Sequence, residues 1–205
     1  MPVYDLDTFL APLKVVAQTM TLGEGSSVQN QTAGGEVLRS GGAARLWRGS
    51  LVLAPMQNAD AGSLHAKLHA LASSDAAFTI NDMARDGAGF TAQINGVNSD
   101  GRVSLRAAGA NRILRAGDYI GFTYAGRRAL HQLVEAANAN ASGVTGAFAV
   151  VPAVRPGWAA GAAVTVGAAR CMAVMVPGSL RIGTASNGAT DGASFDWIQT
   201  LRQVT

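Results

Sequence analysis

The chain has 205 residues, of which 48% are apolar and only 14% are charged. This length suits one domain or two small ones, and a freely soluble monomer usually exposes more charge. The composition therefore predicts that part of the surface is buried against neighbouring molecules. The alternative is a β protein whose surface is rich in Ser, Thr and Asn.

The two halves of the chain differ in charge. Residues 1–100 contain six Lys/Arg and nine Asp/Glu, whereas residues 101–205 contain ten and four. The basic residues are mostly single, and only Arg127 and Arg128 are adjacent. Proteins that read nucleic acid usually show a denser basic face. The charge pattern therefore favours head-to-tail contact between an acidic and a basic surface of identical subunits.

The chain start and the cysteine content indicate the compartment. The first residues, Met-Pro-Val-Tyr-Asp, have no basic start and no long apolar run, so we expect no signal peptide. No run approaches the length of a membrane span. Cys171 is the only cysteine, and its apolar neighbours predict a buried strand position rather than a reactive thiol. We therefore expect assembly in a cytosol.

The first predicted element in chain order is a short strand within 14–20. Residues 22–35 are polar and rich in Gly, which predicts a long loop, and loops of this length usually bind something. A strand follows at 36–40. Gly41 and Gly42 tolerate positive φ, so this strand is predicted to form a hairpin with the next one.

The segment 44–73 carries the strongest pattern in the chain. Trp47, Leu51 and Leu53 alternate with polar residues, which predicts a strand. Asp60 is predicted to cap a helix over 61–72. The apolar face of this helix consists of Ala61, Leu64, Leu68 and Leu71. No second helix pattern is as clear, so the sequence predicts a sheet with one packed helix.

The rest of the chain predicts short strands separated by Gly turns. They cover 77–80, 90–97, 103–107, 119–124, 129–135, 147–151, 164–166 and 171–176. Close spacing of short strands is typical of a small barrel. Residues 195–204 alternate like the Trp47 strand, so we expect them to return to the first sheet. The prediction is a first domain built from 1–87 and 171–205, with a barrel inserted over 88–170.

Two motifs that could carry chemistry are weak. His65 and His69 are one helical turn apart, but Ala66 stands where a zinc-protease helix needs Glu. Gly87 and Gly89 fit the dinucleotide fingerprint loosely, but a strand follows where a phosphate-binding helix is required. We therefore predict no enzyme and no catalytic, cofactor-binding or metal site.

Four acidic residues of the second half, Asp118, Glu135, Asp191 and Asp196, are scattered along the sequence. Paired carboxylates can do acid–base work only if the fold brings them together. For Asp118, which follows Gly117, a local turn hydrogen bond is the simpler prediction.

A series of short motifs runs in a recognisable order. They are Leu46-Trp47-Arg48-Gly49-Ser50-Leu51-Val52-Leu53, the helix 61–72 with Phe78, Leu114-Arg115-Ala116-Gly117-Asp118-Tyr119, Ala141-Ser142-Gly143 with Val151-Pro152-Ala153-Val154-Arg155, and Phe195-Asp196-Trp197-Ile198. Over nearly the whole chain, their order resembles the distal tail protein family of long-tailed (siphovirus) bacteriophages and gene transfer agents.

The resemblance implies a structural virion protein, assembled in the host cytoplasm and located at the distal end of the tail. It implies a homo-hexameric, head-to-tail ring between the tail tube protein and the tail hub protein of the baseplate, with DNA passing through the lumen without specific binding. The implied fold is mainly β: a tail-tube-like β-sandwich with one packed α-helix, plus an inserted small OB-like β-barrel. The resemblance implies no cofactor.

The alternative function is a carbohydrate- or receptor-binding β-module of the tail tip, in which an exposed face of the barrel does the recognition. OB-folds often bind oligonucleotides or sugars. The aromatic residues that could form a stacking platform are Phe90, Tyr119, Phe122, Tyr124, Phe148 and Trp158. Most of them alternate as core residues.

Trp47 and Trp197 lie on the apolar faces of alternating strands and should be core residues of the same sandwich domain. Two further expectations concern assembly. The 22–35 segment should be an assembly element, because it lacks apolar anchors that would order it by itself. Arg127 and Arg128 should face outward, away from the channel.

Overall fold

The structure is a computed structural model that describes residues 2–11, 15–31, 37–41, 44–73, 76–85 and 89–201. The elements before residue 89 are β1 (Val3–Asp5), α1 (Leu6–Leu10), β2 (Val15–Gln18), β3 (Thr21–Leu22), β4 (Ser26–Gln31), β5 (Val37–Gly41), β6 (Trp47–Leu53), β7 (Met56–Gln57), α2 (Asn58–Leu71), β8 (Ala77–Ile80) and a 3-10 helix (Met83–Arg85). The strands that follow are β9 (Phe90–Val97), β10 (Val103–Arg106), β11 (Ile113–Leu114), β12 (Tyr119–Tyr124), β13 (Arg127–Leu133), β14 (Ala137–Asn138), β15 (Val150–Val151), β16 (Ala163–Val166), β17 (Cys171–Met175), β18 (Ala189–Thr190) and β19 (Ser194–Gln199). The fold is mainly β, as predicted.

Both ends of the chain build the first sheet, whose strand order is β1-β8-β17-β19-β6-β2, with β3 also paired to β6. The last strand β19 lies antiparallel to β6, with Trp197 opposite Gly49. The predicted return of the chain end to the first sheet is therefore confirmed. Gly49 is required there, because a Cβ at this position would lie 1.8 Å from the carbonyl oxygen of Thr19.

The core of this sheet is formed by the residues that the alternation predicted. Trp47 is 3% exposed and Trp197 is fully buried, and both belong to one apolar cluster. Leu64, Leu68 and Leu71 of α2 are buried in the same cluster. The predicted apolar face of the helix and the shared core of the two tryptophans are confirmed.

The helices differ from the prediction in two respects. Helix α2 begins at Asn58 after an extended Gln57, so Asp60 lies in the first turn and is not the cap. There its carboxylate faces the positive end of the helix dipole. The second difference is α1, a helix of five residues capped by the Asp5 carboxylate, which accepts the Asp7 N–H at 3.2 Å. So short a helix has too few turns to show a periodic signal.

The predicted loop over 22–35 is also wrong in part, because β4 occupies Ser26–Gln31. It pairs antiparallel with β5, placing Val28 opposite Arg39 in a separate two-stranded sheet. The hairpin partner of β5 is therefore β4 and not the Trp47 strand. Glu36 and Gly42, which were predicted to begin the strand and to form its turn, lie outside the described residues.

The second sheet contains six strands in the order β10-β9-β16-β12-β13-β15. It curls, because Val103 of β10 exchanges two backbone hydrogen bonds of 2.9 Å with Phe148, just before β15. The Gly turn predicted between the strands 119–124 and 129–135 is formed by Ala125 and Gly126, which have φ of 48° and 71°. Arg127 belongs to β13 and not to that turn.

A second apolar cluster fills the interior of the curled sheet. Its larger members are Ile94, Val103, Leu105, Leu114, Ile120, Phe122, Tyr124, Leu133, Phe148, Val150, Val164 and Val166. The first sheet thus uses chain segments up to Ile80 and from Cys171 onward, and the second uses Phe90 to Val166. The division into domains at 88 and 170 remains a prediction.

Candidate functional site

The two apolar cores meet along β12 and β13. Trp47, from the first core, donates its indole Nε1–H to the carbonyl oxygen of Leu130 at 2.9 Å. Its ring also meets Tyr119 edge-on, with 5.4 Å between the centroids. Leu130 and Tyr119 belong to the first cluster, whereas Ala129 and Phe122 of the same two strands belong to the second. β12 and β13 are therefore buried on both faces and join the two sheets.

His131 lies at this junction and is 1% exposed. Its Nδ1 is 2.6 Å from the carbonyl oxygen of Pro152, and its ring stacks on Phe122. Burial, which removes water from the charged ring, lowers the pKa of His131 to about 4. The hydrogen bond to Pro152 acts in the opposite direction and the charge of Arg155 in the same one. The histidine is therefore neutral at pH 7.

Sequence reasoning missed His131 because it stands alone in a strand. The one available signal is the run Ala129-Leu130-His131, in which three consecutive residues are buried. A strand that faces solvent on one side alternates, whereas a strand packed on both sides does not. A polar residue inside a run without alternation is therefore a candidate for a buried contact.

β4 and β5 form a two-stranded ribbon, here called the arm, that lies along the chain between β3 and β6 of the first sheet. β3 pairs with β6 through Thr21 and Arg48, and the Gly23 N–H continues the pairing by donating to the Leu46 carbonyl oxygen at 2.9 Å. Ser26 and Gly41 then begin the ladder of the arm. Six extended residues span about 20 Å, so this ribbon is long for a segment that pairs only with itself.

A groove of about 370 Å³ lies between α1, β2 and the end of β8. Its lining residues are Leu6, Asp7, Leu10, Val15, Gln18, Leu51, Thr79, Ile80, Asn81 and Met83. The Gln18 side chain spans one side of it, donating to the Asn81 carbonyl oxygen at 2.8 Å and accepting from the Met83 N–H at 2.9 Å. The groove thus has polar contacts along one side and a mainly apolar lining elsewhere.

The basic residues of the second half occupy different environments. Arg170 bridges two carboxylates near the chain start, bonding Asp5 at 2.8 Å and Asp7 at 2.7 Å. Arg127 and Arg128 are exposed at the start of β13, and neither forms an ion pair within the described part of the chain. A monomer contains no channel, so their predicted outward position remains a prediction.

Two of the four candidate acidic residues, Asp118 and Glu135, bond to backbone N–H groups near them in the fold. The Asp118 carboxylate accepts the Arg115 N–H at 2.8 Å, which confirms the predicted turn bond. Glu135 accepts the Ala149 N–H and pairs with Arg102, and these two contacts hold the pKa of its carboxyl below the usual range. Asp196 lies on β19 of the first sheet, and Asp191 follows β18. The structure therefore assigns these acids to separate elements.

The histidines of α2 are separated by burial, with His65 half-buried and His69 exposed. Within the ranges that the structure describes, no group of three His, Cys, Asp or Glu side chains could hold a metal ion. Gly87 lies outside the described residues, and a strand, β9, follows it. Cys171 is fully buried, which raises the pKa of its thiol to about 12 and confirms its interpretation as a core residue.

The aromatic residues of the second sheet are mostly internal. Tyr119, Phe122, Tyr124 and Phe148 are buried, and Phe90 and Trp158 pack partly buried against the core. Arg112 lies over the Phe90 ring, 4.9 Å from its centroid. The exposed face of this sheet therefore offers no row of aromatic rings among the described residues.

No protein-family model matches the chain, and no curated protein matches it at a significant level. The resemblance to distal tail proteins therefore depends on the order of the motifs in this sequence. In the parts of the chain that are described, no helix is both long and apolar enough to cross a membrane.

Proposed function

We propose that this chain is a distal tail protein that forms a hexameric ring at the end of a long phage tail or gene transfer agent tail. The observation that supports this most is the first sheet with its arm: both chain ends build one sheet, and β4 and β5 pair with each other as a separate two-stranded ribbon. An isolated two-stranded ribbon is marginally stable in water. Contact with a neighbouring subunit would stabilise such a ribbon.

In this proposal the first sheet is the tail-tube-like β-sandwich, and the second sheet is an inserted OB-like barrel. The curl of the second sheet supports the barrel, since hydrogen bonds run from β10 and the residues just after it to residues 143–148 at three levels. Val103 bonds Phe148, Leu105 bonds Thr145, and Ala108 bonds Gly143. A closed sheet has no free edge, so the barrel would leave assembly to the first sheet and its arm.

The ring would join the last ring of the tail tube to the tail hub. Head-to-tail contacts bring two different faces of the subunit together. The opposite net charges of the two halves of the chain would steer those faces toward each other. DNA would pass through a polar channel without tight binding, because a strongly basic wall would hold it through many phosphate contacts. The mature location would be the virion, after assembly in the host cytoplasm.

A carbohydrate- or receptor-binding module is the weaker alternative. Stacking on aromatic faces is a common way of binding sugars and bases. Four of the six candidate rings are buried, and the remaining two are partly covered. We therefore propose no binding function for the second sheet.

Native mass spectrometry and negative-stain electron microscopy of the purified chain test the proposal. The expected result is a six-subunit ring with an open centre wide enough for duplex DNA. Tail particles labelled on this protein should carry the label at the end distal to the capsid. A chain that stays monomeric at all concentrations, and is absent from purified tails, would contradict the ring.

A further inference from the structure

The contact between the two cores contains a histidine with an unsatisfied ring nitrogen. The Nδ1 atom of His131 lies 2.6 Å from the Pro152 carbonyl oxygen. A carbonyl oxygen only accepts, so Nδ1 carries the proton of the neutral ring and Nε2 has a free lone pair. Nε2 has no hydrogen-bond partner among the described residues, and the whole residue is 1% exposed.

The groups that face this ring are cationic or neutral. A small cavity beside it is lined by Arg45 before β6, Tyr124 on β12, Arg155 after β15 and Gln199 on β19. On its own strand the nearest charge in sequence is Arg128, and β17 presents the buried Cys171 thiol to the same junction. The described lining includes no carboxylate. A protonated ring would therefore add positive charge beside two arginines.

Protonation would also create a donor that cannot be satisfied. Nε2–H has no acceptor in the present geometry, and a buried donor without a partner costs about as much as a lost hydrogen bond. The cavity has a volume of about 10 Å³ and holds one water molecule at most, so hydration of a charged ring by several waters requires the cavity to widen. The charged ring is thus favoured only in an opened junction.

The strand that carries His131 also carries the hydrogen bond between the cores. Leu130, the preceding residue, accepts the indole N–H of Trp47 at 2.9 Å. Gln199, which lines the cavity, accepts the backbone N–H of Trp47 at 3.2 Å. Leu130 and His131 are neighbours on β13, and Gln199 lines the cavity beside His131. Movement that brings water to His131 therefore disturbs the two hydrogen bonds of Trp47.

We propose that protonation of His131 opens the junction between the two cores, so that the protein loosens the contact of its two sheets in mild acid while α2 and β8 of the first core stay folded. This opening in acid goes beyond the proposed ring and does not depend on it. Its physical basis is a buried neutral imidazole that shares a small cavity with two arginine residues and a strand with the inter-core hydrogen bond.

Hydrogen–deuterium exchange of the full chain, read by mass spectrometry, tests this in any oligomeric state. After correction for the intrinsic pH dependence of exchange, opening of the β12–β13 and β6 peptides should rise about tenfold per pH unit as pH falls from 6.5 toward 4. The corrected exchange of the α2 and β8 peptides, which belong to the first core, should stay constant over the same pH range. An even rise across the chain, or no rise in β12–β13, would overturn the proposal.

Variants identify the titrating group. His131→Phe keeps an aromatic ring against Phe122 and cannot be protonated, so the acid-dependent opening should disappear. The matched control His69→Phe changes an exposed histidine of α2 and should behave like the wild type. An equal acid response in His131→Phe would contradict the proposal.

A measurement on the wild type covers the case in which His131→Phe does not fold. Exchange of the imidazole Cε1–H, also read by mass spectrometry, reports the titration of each of the three histidines. His131 should titrate near pH 4, at the same midpoint as the opening of the junction. Titration of His131 near its ordinary value of about 6.5, with the junction closed, would refute the mechanism.

Discussion

Single residues decide how the two cores hold together, and Trp47 is the clearest case. It is buried in the first core, and its indole N–H reaches the Leu130 carbonyl oxygen of the second sheet. Trp47→Ala should lower the free energy of unfolding by roughly 3–5 kcal/mol through lost burial and the cavity left behind. Urea unfolding followed by circular dichroism measures this. The control is Trp158→Ala, at a partly buried position. A decrease in the free energy of unfolding below about 1 kcal/mol for Trp47→Ala would show that Trp47 is not a core residue.

Also at the residue scale, His131 predicts a pH dependence of global stability. Its pKa is about 4 in the folded protein and 6.5 as the reference value, so folding favours the neutral ring. The stabilisation is complete above pH 6.5, declines as pH falls from 6.5 toward 4, and is lost below the folded pKa. The difference corresponds to about 3 kcal/mol. Urea unfolding measures the free energy of unfolding at pH 7 and at pH 4. The decrease between the two pH values should be smaller in His131→Phe than in the wild type, by about this amount. Equal losses would show that other groups account for the acid sensitivity.

At the scale of elements, the pairing of β6 with the segment after β2 depends on Gly49. A Cβ there would meet the Thr19 carbonyl oxygen at 1.8 Å, and backbone cannot move aside as a side chain can. Gly49→Ala should therefore separate the strands and cost several times the ~1 kcal/mol of an average point mutation. Gly62→Ala is the matched control, because open space surrounds this helical position and alanine favours the helix by about 1 kcal/mol. Thermal unfolding should shift down for the first variant and up for the second.

The arm is the element on which the proposed assembly depends. Removing Ser26–Gln31 deletes one strand of a ribbon that pairs with itself, so the two cores should keep their fold and their near-ultraviolet circular dichroism. The same deletion should stop the joining of tails, because the ring would lose its contact with the neighbouring tube ring. Complementation of a deleted virus or transfer agent, scored by electron microscopy, gives the result. Normal infectious tails from the deletion would refute the assembly role.

At the scale of the whole molecule, the uneven charge predicts how the ring forms. Opposite charges on the two contacting faces act mainly on the rate of association, and salt screens them over about 10 Å at 0.1 M. Ring assembly followed by light scattering should slow with added salt, whereas the assembled ring should persist. Arg127 and Arg128 should lie on the outer surface in a density map of the ring. Their placement on the channel wall, or a monomer that salt leaves unchanged, would count against this arrangement.

The sequence by itself determined the features that depend on local periodicity. Alternation identified the Trp47 and Trp197 strands, and 3.6-residue spacing identified the buried face of α2, because burial of one face imposes a period on the side chains. The strands of the second sheet follow from short apolar runs and from the Gly-containing turns between them. The mainly β class could be predicted for this reason.

Only the tertiary structure decided the features that depend on distant contacts. β4 pairs with β5 through backbone hydrogen bonds. A polar sequence without apolar alternation does not predict such a pairing. The five residues of α1 are too few to show a period. Helix α2 begins after Gln57 and not after Asp60, because the extended backbone ends at Gln57. His131 became a junction residue because β13 is covered on both faces, by two cores that come from different parts of the chain. Such double burial is a property of how sheets pack, and a single strand's sequence does not contain it.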